Sequence, residues 1–286
     1  KKDREVNSMN LLHAWLVYDR QGAKRNASYI EMHKTIGHSM GIEFELKLTD
    51  SIPDDLSLTP KPDFALIRTI CPELSRQLES NKIPIFNNSH IAAICNDKYQ
   101  TWTYIKSHCP DVPMVESHFY KNHELSQTLL KSHPAHVLKA IAGHGGTQVF
   151  KTEESFSEIK NGLNGSDFIL QPFIKGPGKD VRVYVIGKEI IAAVERTARD
   201  DFRSNFSLGG SVSLRTLSKK EKQLTESVIS LFDFGLAGID FIINEKDEFI
   251  LSEIEDVAGA RMLYQCMPDC HLLERYFTYI KEKILQ

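Results

Sequence analysis

The sequence predicts an α/β protein whose C-terminal part changes to an α+β arrangement. Through residues 10–168, apolar strands alternate with amphipathic helices, which is the pattern of a sheet covered by helices. From residue 169 onwards, strands come in pairs joined by short turns, which is the pattern of antiparallel hairpins. The chain has 286 residues, of which 41% are hydrophobic and 26% charged, so two or three domains of a globular enzyme are expected.

The first domain is expected to comprise residues 1–90 and to contain a small parallel sheet. A helix over residues 26–41 is predicted from a capping box of Ser28 and Glu31. A shorter helix is expected after Pro72. The apolar face of the longer helix is expected to consist of Tyr29, Met32, Ile36 and Met40. Strands are predicted at residues 10–18, 42–48, 63–68 and 83–87.

A second α/β domain is expected over residues 91–168. The segment 97–108 has the composition of a helix, and acidic residues mark the beginning of another over residues 152–163. Strands are expected at residues 136–141 and 167–174. A glycine-rich turn, AGHGGTQV, follows the first of these strands.

The third domain, residues 169–286, is expected to consist mainly of antiparallel strands. A helix over residues 218–235 is predicted from a capping box of Ser218 and Glu221. Apolar segments separated by short polar turns predict two hairpins, at residues 174–198 and 237–255.

Charge, hydropathy and cysteine content argue against several functions. The net charge of −3 argues against a general nucleic-acid-binding protein, and no apolar run approaches the ~20 residues of a membrane-spanning helix. The charged N-terminus lacks the pattern of a secretory signal. Five cysteines in such a chain indicate reduced thiols and a cytoplasmic protein. The spacing of Cys266, Cys270 and His271 is not typical of a zinc site.

The last predicted hairpin carries three carboxylates that are expected to converge. Glu253 and Glu255 alternate onto the same face of their strand. A symmetric turn places Asp240 opposite Glu253, with their Cβ atoms about 5 Å apart. Acids on otherwise apolar strands need compensation, and a magnesium ion with oxygen ligands would supply it. The alternative is a solvated strand face on which the acids bind nothing.

Two lysines and the glycine-rich turn are candidates for binding the phosphates of a nucleotide. Lys139 lies within a predicted apolar strand, just before the turn that contains Gly145 and Gly146. Backbone N–H groups of such a turn can contact phosphate oxygens, although the turn matches neither GxxxxGK[ST] nor GxGxxG. Lys98 begins a predicted helix. A solvated surface position is the alternative for both lysines.

Six segments between residues 90 and 286 together form a specific pattern. They read DK (97–98), LKAIAGHGGTQV (138–149), ILQPFI (169–174), DVRVYVIGKEIIAAVERTA (180–198), DFRSNFSLGG (201–210) and AGIDFI…LSEIEDVAG (237–259). In this order they resemble the ATP-grasp superfamily, and closely its RimK-type branch of carboxylate–amine (α-L-glutamate) ligases. The resemblance implies an ATP-grasp fold made of the second and third domains, preceded by a Rossmann-like pre-ATP-grasp domain.

The resemblance also implies which residues bind the cofactors ATP and Mg²⁺, for which Mn²⁺ can substitute. Lys98, Lys139 and the turn glycines would contact the phosphates, and Asp180 would lie near the ribose. The metal ligands would be Asp240, Glu253 and Glu255. The slot for the adenine would be lined by Gln171, Pro172, Phe173 and Ile174.

In this family a substrate carboxylate attacks the γ-phosphate of ATP, and an amine then displaces phosphate from the acyl phosphate. Arg203 and Asn205 would contact the phosphoryl group during transfer, with Arg182 as a further catalytic candidate. Without the surrounding pattern, the segment around Arg203 is equally well a polar loop. Arg182 and Arg196 could instead form cross-strand ion pairs. The candidates for contacting the substrates are Arg196, Gly209, Gly210 and Arg261.

The implied ligase joins an amino acid, with L-glutamate as the first candidate, to a carboxylate of a small molecule, a peptide or a protein C-terminus. The resemblance further implies a homo-oligomer. One position departs from the family, because Glu255 stands where asparagine is usual and EDVAG replaces the NxSPG turn. Arg261 would offset the charge of Glu255 or meet a substrate carboxylate. A nucleotide-binding regulatory protein without ligase activity is therefore the alternative function.

Overall fold

The structure is a computed structural model that describes residues 11–143, 148–197 and 211–286. The chain forms two compact units. The smaller unit comprises the residues up to 89 and those from 271 onwards, and the larger unit comprises residues 90–270. The predicted mixed α/β class is confirmed, while the domain boundaries near residues 90 and 168 stay predictions. No helix of the described ranges is long and apolar enough to cross a membrane.

The smaller unit is built on a four-stranded sheet. Up to residue 89 its elements are β1 (Leu12–Tyr18), α1 (Arg20–Arg25), α2 (Ala27–Ser39), β2 (Ile42–Leu48), β3 (Phe64–Ile67), α3 (Pro72–Ser80) and β4 (Ile85–Phe86). The strand order is β2-β1-β3-β4, and each neighbouring pair runs parallel. The small parallel sheet predicted from the order of strands and helices is therefore confirmed.

The helix predicted over residues 26–41 is confirmed as α2, and the separate helix α1 lies just before it, but the predicted capping box is wrong. Asp19 caps α1, since its side chain accepts a hydrogen bond from the backbone of Gly22. The N-cap residue of α2 is Asn26, whose side chain makes no capping hydrogen bond. Ser28 thus lies inside the helix. Asn26 is both the C-cap of α1 and the N-cap of α2. Helix α2 therefore begins before Ser28, the residue predicted as its N-cap.

The buried face of α2 also differs from the prediction. Ile30, His33 and Gly37 are buried, whereas the four residues of the predicted face are half-buried. A Cβ atom added to Gly37 would lie 2.6 Å from the ring of Phe44 on β2. The absence of a side chain therefore lets the helix approach the sheet, and this close contact selects which face is buried.

The larger unit contains two antiparallel sheets. Its elements are α4 (Ser89–Cys95), α5 (Lys98–His108), β5 (His118–Tyr120), α6 (Gln127–Ser132), β6 (His136–Ala140), β7 (Val149–Lys151), α7 (Phe156–Leu163), β8 (Phe168–Pro172), β9 (Lys179–Ile186), β10 (Glu189–Thr197), β11 (Ser211–Leu214), α8 (Lys219–Ser230), β12 (Leu236–Ile243), β13 (Phe249–Glu255) and α9 (Arg261–Cys266). A final helix, α10 (Leu272–Ile284), belongs to the smaller unit. The strand orders are β5-β8-β6-β7 and β11-β10-β9-β12-β13.

Both predicted hairpins are confirmed, as strand pairs β9–β10 and β12–β13. The capping box of α8 is also present, since Ser218 and Glu221 bond to each other's backbone N–H groups. However, α8 ends at Ser230, earlier than the predicted end at residue 235. Phe232 and Phe234, which follow the helix, are buried in the core and so leave the helical path.

The five-stranded sheet has one apolar and one polar face. Val181, Val183 and Val185 of β9 point into a core that also contains residues of α8 and of the neighbouring strands. Asp180 and Arg182, which flank Val181, must point to the opposite face, because side chains alternate along a strand. This polar face carries the candidate site.

The four-stranded sheet shows the same division. Leu138, Ala140 and Leu170 pack in a core with Ile159 of α7. Lys139, between two of these core residues on β6, therefore lies on the face that points away from that core.

Candidate active site

The three acids of the β12–β13 hairpin converge as predicted. Asp240 on β12 lies directly opposite Glu253 on β13, and Glu255 follows two residues later. One carboxylate oxygen from each acid lies within 4.8 Å of the other two. Within the described ranges, this is the group of His, Cys, Asp or Glu side chains that could hold a metal ion, and the five cysteines are free thiols.

Two arginines on neighbouring strands neutralise Asp240. Arg182, its cross-strand neighbour on β9, donates from Nε to Oδ1 and from Nη2 to Oδ2, both at 2.7 Å. Arg196 on β10 donates from Nη2 to Oδ2 at 2.9 Å. Such charge-assisted, bidentate hydrogen bonds are strong. The metal ion that the sequence predicts as compensation for these acids stays a prediction, and the two arginines compensate Asp240 within the protein.

Asp180 and Arg196 also pair with each other across β9 and β10. They are opposite in register, and Arg196 Nε and Nη2 lie 2.5 and 2.8 Å from the two carboxylate oxygens of Asp180. Cross-strand ion pairs, one of the alternatives for the strand arginines, are thus the arrangement of Arg182 and Arg196. The roles of Asp180 at a ribose and of Arg196 at a substrate carboxylate stay predictions.

Burial and ion pairing act in opposite directions on the pKa values of these acids. Burial favours the neutral form of Asp240, but Arg182 and Arg196 outweigh it and lower its pKa to about 2. Burial raises the pKa of Glu255 although Arg182 opposes this shift. Burial also raises the pKa of Asp180 to about 7 against the attraction of Arg196. The two arginines therefore favour the ionised form of Asp240, whereas burial favours the neutral forms of Glu255 and Asp180.

Lys98 is held beside the acids by the start of α5. Asp97 caps this helix, and the backbone N–H of Lys98 donates to the carbonyl of Ile141 at 3.0 Å. The Lys98 ammonium lies 3.1 Å from Glu253 Oε2 and also donates to the carbonyl of Gly143. Burial favours the neutral form of Glu253, but Lys98 is the chief opposing charge and the pKa is lowered overall. Lys98 therefore has defined partners and is not a solvated first-turn lysine.

Lys139 lies on β6 and is half-buried. Burial lowers its pKa to about 8, while the nearby charge of Glu253 raises this pKa and that of Lys98 lowers it. The lysine is therefore close enough to the acid cluster to interact with it electrostatically. The role of Lys139 at a phosphate stays a prediction.

The residues predicted to line an adenine slot lie at and after the end of β8. Gln171 is buried, and its side-chain amide donates to Ser117 Oγ at 2.7 Å, so this side chain has a partner within the protein. Lys151 Nζ lies 5.0 Å from the centre of the Phe173 ring. The slot residues that keep some exposure are Pro172, Phe173 and Ile174.

Six predicted site residues lie outside the described residues, and their roles stay predictions: Gly145, Gly146, Arg203, Asn205, Gly209 and Gly210. Arg261 is described and is exposed at the first residue of α9. In the described part of the chain, the ion-pair partner of Glu255 is Arg182 at 2.7 Å, and Arg261 does not fill that role. Arg182 contacts Glu255 because both side chains lie on the same face of the five-stranded sheet.

Tyr184 and Gly238 contribute to the site and were not predicted. Tyr184 Oη donates to the carbonyl of Gly259 at 2.9 Å and so fastens the segment after β13. Gly238 is the cross-strand neighbour of Tyr184. An added Cβ at Gly238 would lie 3.1 Å from Cδ of Arg182, so the glycine leaves room for the arginine. The spacing of Arg182 and Tyr184 within an apolar strand is the signal in the sequence that could have identified Tyr184.

Two antiparallel sheets, converging acids and two lysines beside them define a protein of the ATP-grasp class. A family model described as a RimK-like ATP-grasp domain matches residues 96–267, which is more than half of the chain. The chain therefore belongs to the RimK-like ATP-grasp family, as the resemblance in sequence implied.

Related proteins differ in how much of their length this chain covers. An uncharacterised protein of Mycoplasma genitalium is 28% identical over 100% of this chain and 94% of its own length. A probable alpha-L-glutamate ligase of Xanthomonas campestris is 31% identical over 64% of this chain and 65% of its own length. Human N-acetylaspartylglutamate synthase A is 27% identical over 78% of this chain and 59% of its own length. The chain thus spans less than two thirds of the two relatives that are named for an activity.

Solved structures show the same fold at low sequence identity. D-cycloserine synthetase DcsG has a TM-score of 0.70 at 14% identity, covering 95% of this chain and 99% of its own. The D-alanine–D-alanine ligase of Coxiella burnetii has a TM-score of 0.65 at 15% identity, covering 96% of this chain and 97% of its own. The predicted ATP-grasp fold is therefore confirmed. The family to which the chain belongs is one of ADP-forming carboxylate–amine ligases.

Proposed function

We propose that the chain is an ATP-dependent ligase that activates a substrate carboxylate as an acyl phosphate and joins it to an amino acid. The observation that supports this proposal is the cluster of Asp240, Glu253 and Glu255, with Lys98 and Lys139 beside it. Carboxylate oxygens suit Mg²⁺, which typically takes one or two of them together with phosphate oxygens and water. Lysines suit the phosphates as compact positive charges.

The chain's own residues would hold MgATP in a defined way. Asp240, Glu253 and Glu255 would bind the metal from the two strands of the β12–β13 hairpin. Lys98 and Lys139 would contact phosphate oxygens, and Phe173 and its neighbours would supply apolar surface to the adenine. When bound, the metal neutralises charge on the phosphate oxygens and orients the γ-phosphate.

The reaction requires positioning and charge neutralisation more than covalent help from the protein. An oxygen of the substrate carboxylate forms a bond to the γ-phosphorus, and the bond from that phosphorus to the β–γ bridging oxygen breaks, releasing ADP. The nitrogen of an amine then bonds to the acyl carbon, phosphate leaves, and the amine loses a proton. Two anions meet in the first step, so the cations of the site, including Arg203 as predicted, would lie between them.

L-glutamate is the amino acid that we propose as the amine substrate. Support comes from two relatives whose names contain this amino acid, the probable alpha-L-glutamate ligase and N-acetylaspartylglutamate synthase A. The acceptor is a carboxylate of a small molecule, a peptide or a protein C-terminus. The cytoplasmic location and the homo-oligomeric state also stay predictions.

The test is release of ADP from ATP and Mg²⁺, with each of the twenty amino acids in turn and with a nucleotide-depleted cell extract as the source of acceptor. Mass spectrometry then identifies any molecule that gains the mass of one amino-acid residue. We expect ADP release that requires glutamate and gives such a product. Asp240→Asn, which removes one charge from the acid cluster, is expected to abolish release.

Other outcomes separate the alternatives. ADP release that requires an amino acid other than glutamate would support the proposed ligase activity and contradict glutamate as its amine substrate. Binding of ATP without ADP release under any condition would contradict the ligase and support a regulatory nucleotide-binding protein.

A further inference from the structure

One nitrogen atom of Arg182 bridges two of the acids. Its Nη2 lies 2.7 Å from Asp240 Oδ2 and 2.7 Å from Glu255 Oε1. Its Nε holds the other oxygen of Asp240 at the same distance. The guanidinium group therefore pairs with two of the three carboxylates that would hold a metal ion.

The position of this guanidinium group is built into the sheet. The side chains of Arg182 and Asp240 are only 6% and 3% exposed, so neither can turn into solvent without opening the sheet face. Gly238 leaves the space in which the stem of the arginine lies. Arg182 is therefore not a surface residue that meets the acids by chance.

The two acids differ in how strongly they are held. Asp240 has a second cation, Arg196, and keeps a partner when Arg182 moves. Glu255 is 22% exposed, and its ion-pair partner within the described ranges is Arg182. An asparagine, the usual residue of the family at this position, could not form an ion pair. Glu255 is therefore the ligand that can be exchanged between the arginine and an incoming metal.

We propose that Arg182 is an internal counter-ion that competes with the divalent metal for Glu255. Before metal binds, the guanidinium group of Arg182 forms ion pairs with Asp240 and Glu255. Metal binding replaces the Arg182–Glu255 ion pair with a metal–carboxylate bond, while Arg196 keeps Asp240 in place. Arg182 is thus a positioning residue whose partner changes during the catalytic cycle. This inference rests on the proposed function, because it assigns a metal to the acid cluster.

The test measures metal binding without turnover. Free Mn²⁺ is measured by electron paramagnetic resonance during titration of the nucleotide-free protein, for the wild type, Arg182→Met and Arg182→Lys. Removing a positive charge a few ångströms from a divalent site is expected to strengthen Mn²⁺ binding about tenfold in Arg182→Met. Arg182→Lys keeps the charge and is expected to stay near the wild type. A purely supporting role for Arg182 gives the opposite result, weaker Mn²⁺ binding in the methionine variant.

Two further variants make the comparison specific. Arg215→Met removes an arginine, just after β11, that pairs with Glu195 of β10 and Glu221 of α8, outside the acid cluster. This variant should leave Mn²⁺ binding unchanged. In a Glu255→Gln background, Arg182→Met should strengthen Mn²⁺ binding by clearly less than in the wild-type background. An equal gain in both backgrounds would show that Glu255 is not the contested ligand and would overturn the proposal.

A measurement on the unmodified chain covers the case in which Arg182→Met does not fold. In protein labelled with ¹⁵N-arginine, the Nε–H resonance that is missing in Arg182→Lys is followed during a Mg²⁺ titration. We expect this resonance to shift with saturation of the metal site, and an unchanged resonance at saturation would overturn the proposal. If the wild type binds no Mn²⁺ even with ATP present, the proposed function itself fails. Mn²⁺ binding without a gain in Arg182→Met removes only the counter-ion role.

Discussion

Lys98 and Glu253 form an ion pair of 3.1 Å between the first residue of α5 and the strand β13. The same ammonium group donates to the carbonyl of Gly143, the second residue of the glycine-rich turn AGHGGTQV. Lys98 therefore links the predicted phosphate-binding turn to the predicted metal ligands. A phosphate that enters the site must share this lysine with Glu253 or take it over.

Replacing Lys98 by methionine should weaken ATP binding. The variant loses a charge-assisted contact to phosphate and leaves Glu253 without its main cation, so we expect the Kd for ATP to rise roughly tenfold to a hundredfold. Isothermal titration calorimetry with MgATP measures the change. Lys106→Met, in the last turn of the same helix, is the matched control and should bind ATP like the wild type. Equal affinity in both variants would place the phosphates elsewhere.

ATP binding should weaken as the pH rises above 8. Lys139 has a pKa of about 8, lowered chiefly by burial, with Glu253 and Asp180 opposing the shift and Lys98 adding to it. Above this pH the lysine must take up a proton when it binds a phosphate, so the affinity should fall by up to about tenfold for each further pH unit. Measured Kd values for ATP between pH 7 and 9.5 give this slope.

Lys139→Arg should remove this pH dependence, because a guanidinium group stays protonated over the whole range. A slope that persists in the arginine variant would assign the pH dependence to another group. The contribution of Lys139 to the free energy of unfolding changes with pH in the opposite direction to the ATP affinity, since it rises above pH 8. The charged form is disfavoured in the folded protein, so this penalty is complete below pH 8 and fades as the pH approaches the ~10.4 of an exposed lysine.

Glu255→Asn introduces the usual residue of the family and should reduce metal binding and activity. The substitution removes a carboxylate ligand and also frees Arg182 from one of its two acids. We expect the concentration of Mg²⁺ for half-maximal ADP release to rise about tenfold. Glu248→Asn, which removes a carboxylate from the same hairpin outside the cluster, serves as the control. If Glu255→Asn instead creates activity in an inactive protein, Glu255 is an inactivating residue. That result would support a nucleotide-binding regulatory protein without ligase activity.

Gly176→Ala should destabilise the larger unit. A Cβ atom at this position, between β8 and β9, would lie 2.2 Å from the backbone carbonyl oxygen of Ile243, so the backbone must shift. Overpacking of this kind costs roughly 1–3 kcal/mol. Urea unfolding followed by circular dichroism measures the loss. Gly259→Ala is the control, because within the described part of the chain no heavy atom beyond the chain neighbours lies within 4 Å of the added Cβ. A comparable loss there would contradict the steric explanation.

Local patterns determined much of the fold. The alternation along AGIDFII and FILSEIE predicts two strands, and the symmetric turn predicts that Asp240 faces Glu253, which the structure confirms. The capping box at Ser218 and Glu221 likewise predicts the beginning of α8. These features depend on residues close in sequence, so the chain determines them without reference to its tertiary structure. The capping box at Ser28 failed because Asn26 follows another helix, which the local pattern did not reveal.

The partners of the site residues depended on the tertiary structure. The sequence placed Arg182, Asp240 and Glu255 in a polar set, and the resemblance to RimK-type ligases suggested their roles. Only the order β10-β9-β12-β13 brings the two arginines of β9 and β10 onto the acids of β12 and β13. Ion pairs form between side chains that share a sheet face, and which strands are neighbours is decided by the packing of the whole sheet. The sequence therefore determined which charges are present, and the tertiary structure determined which of them neutralise one another.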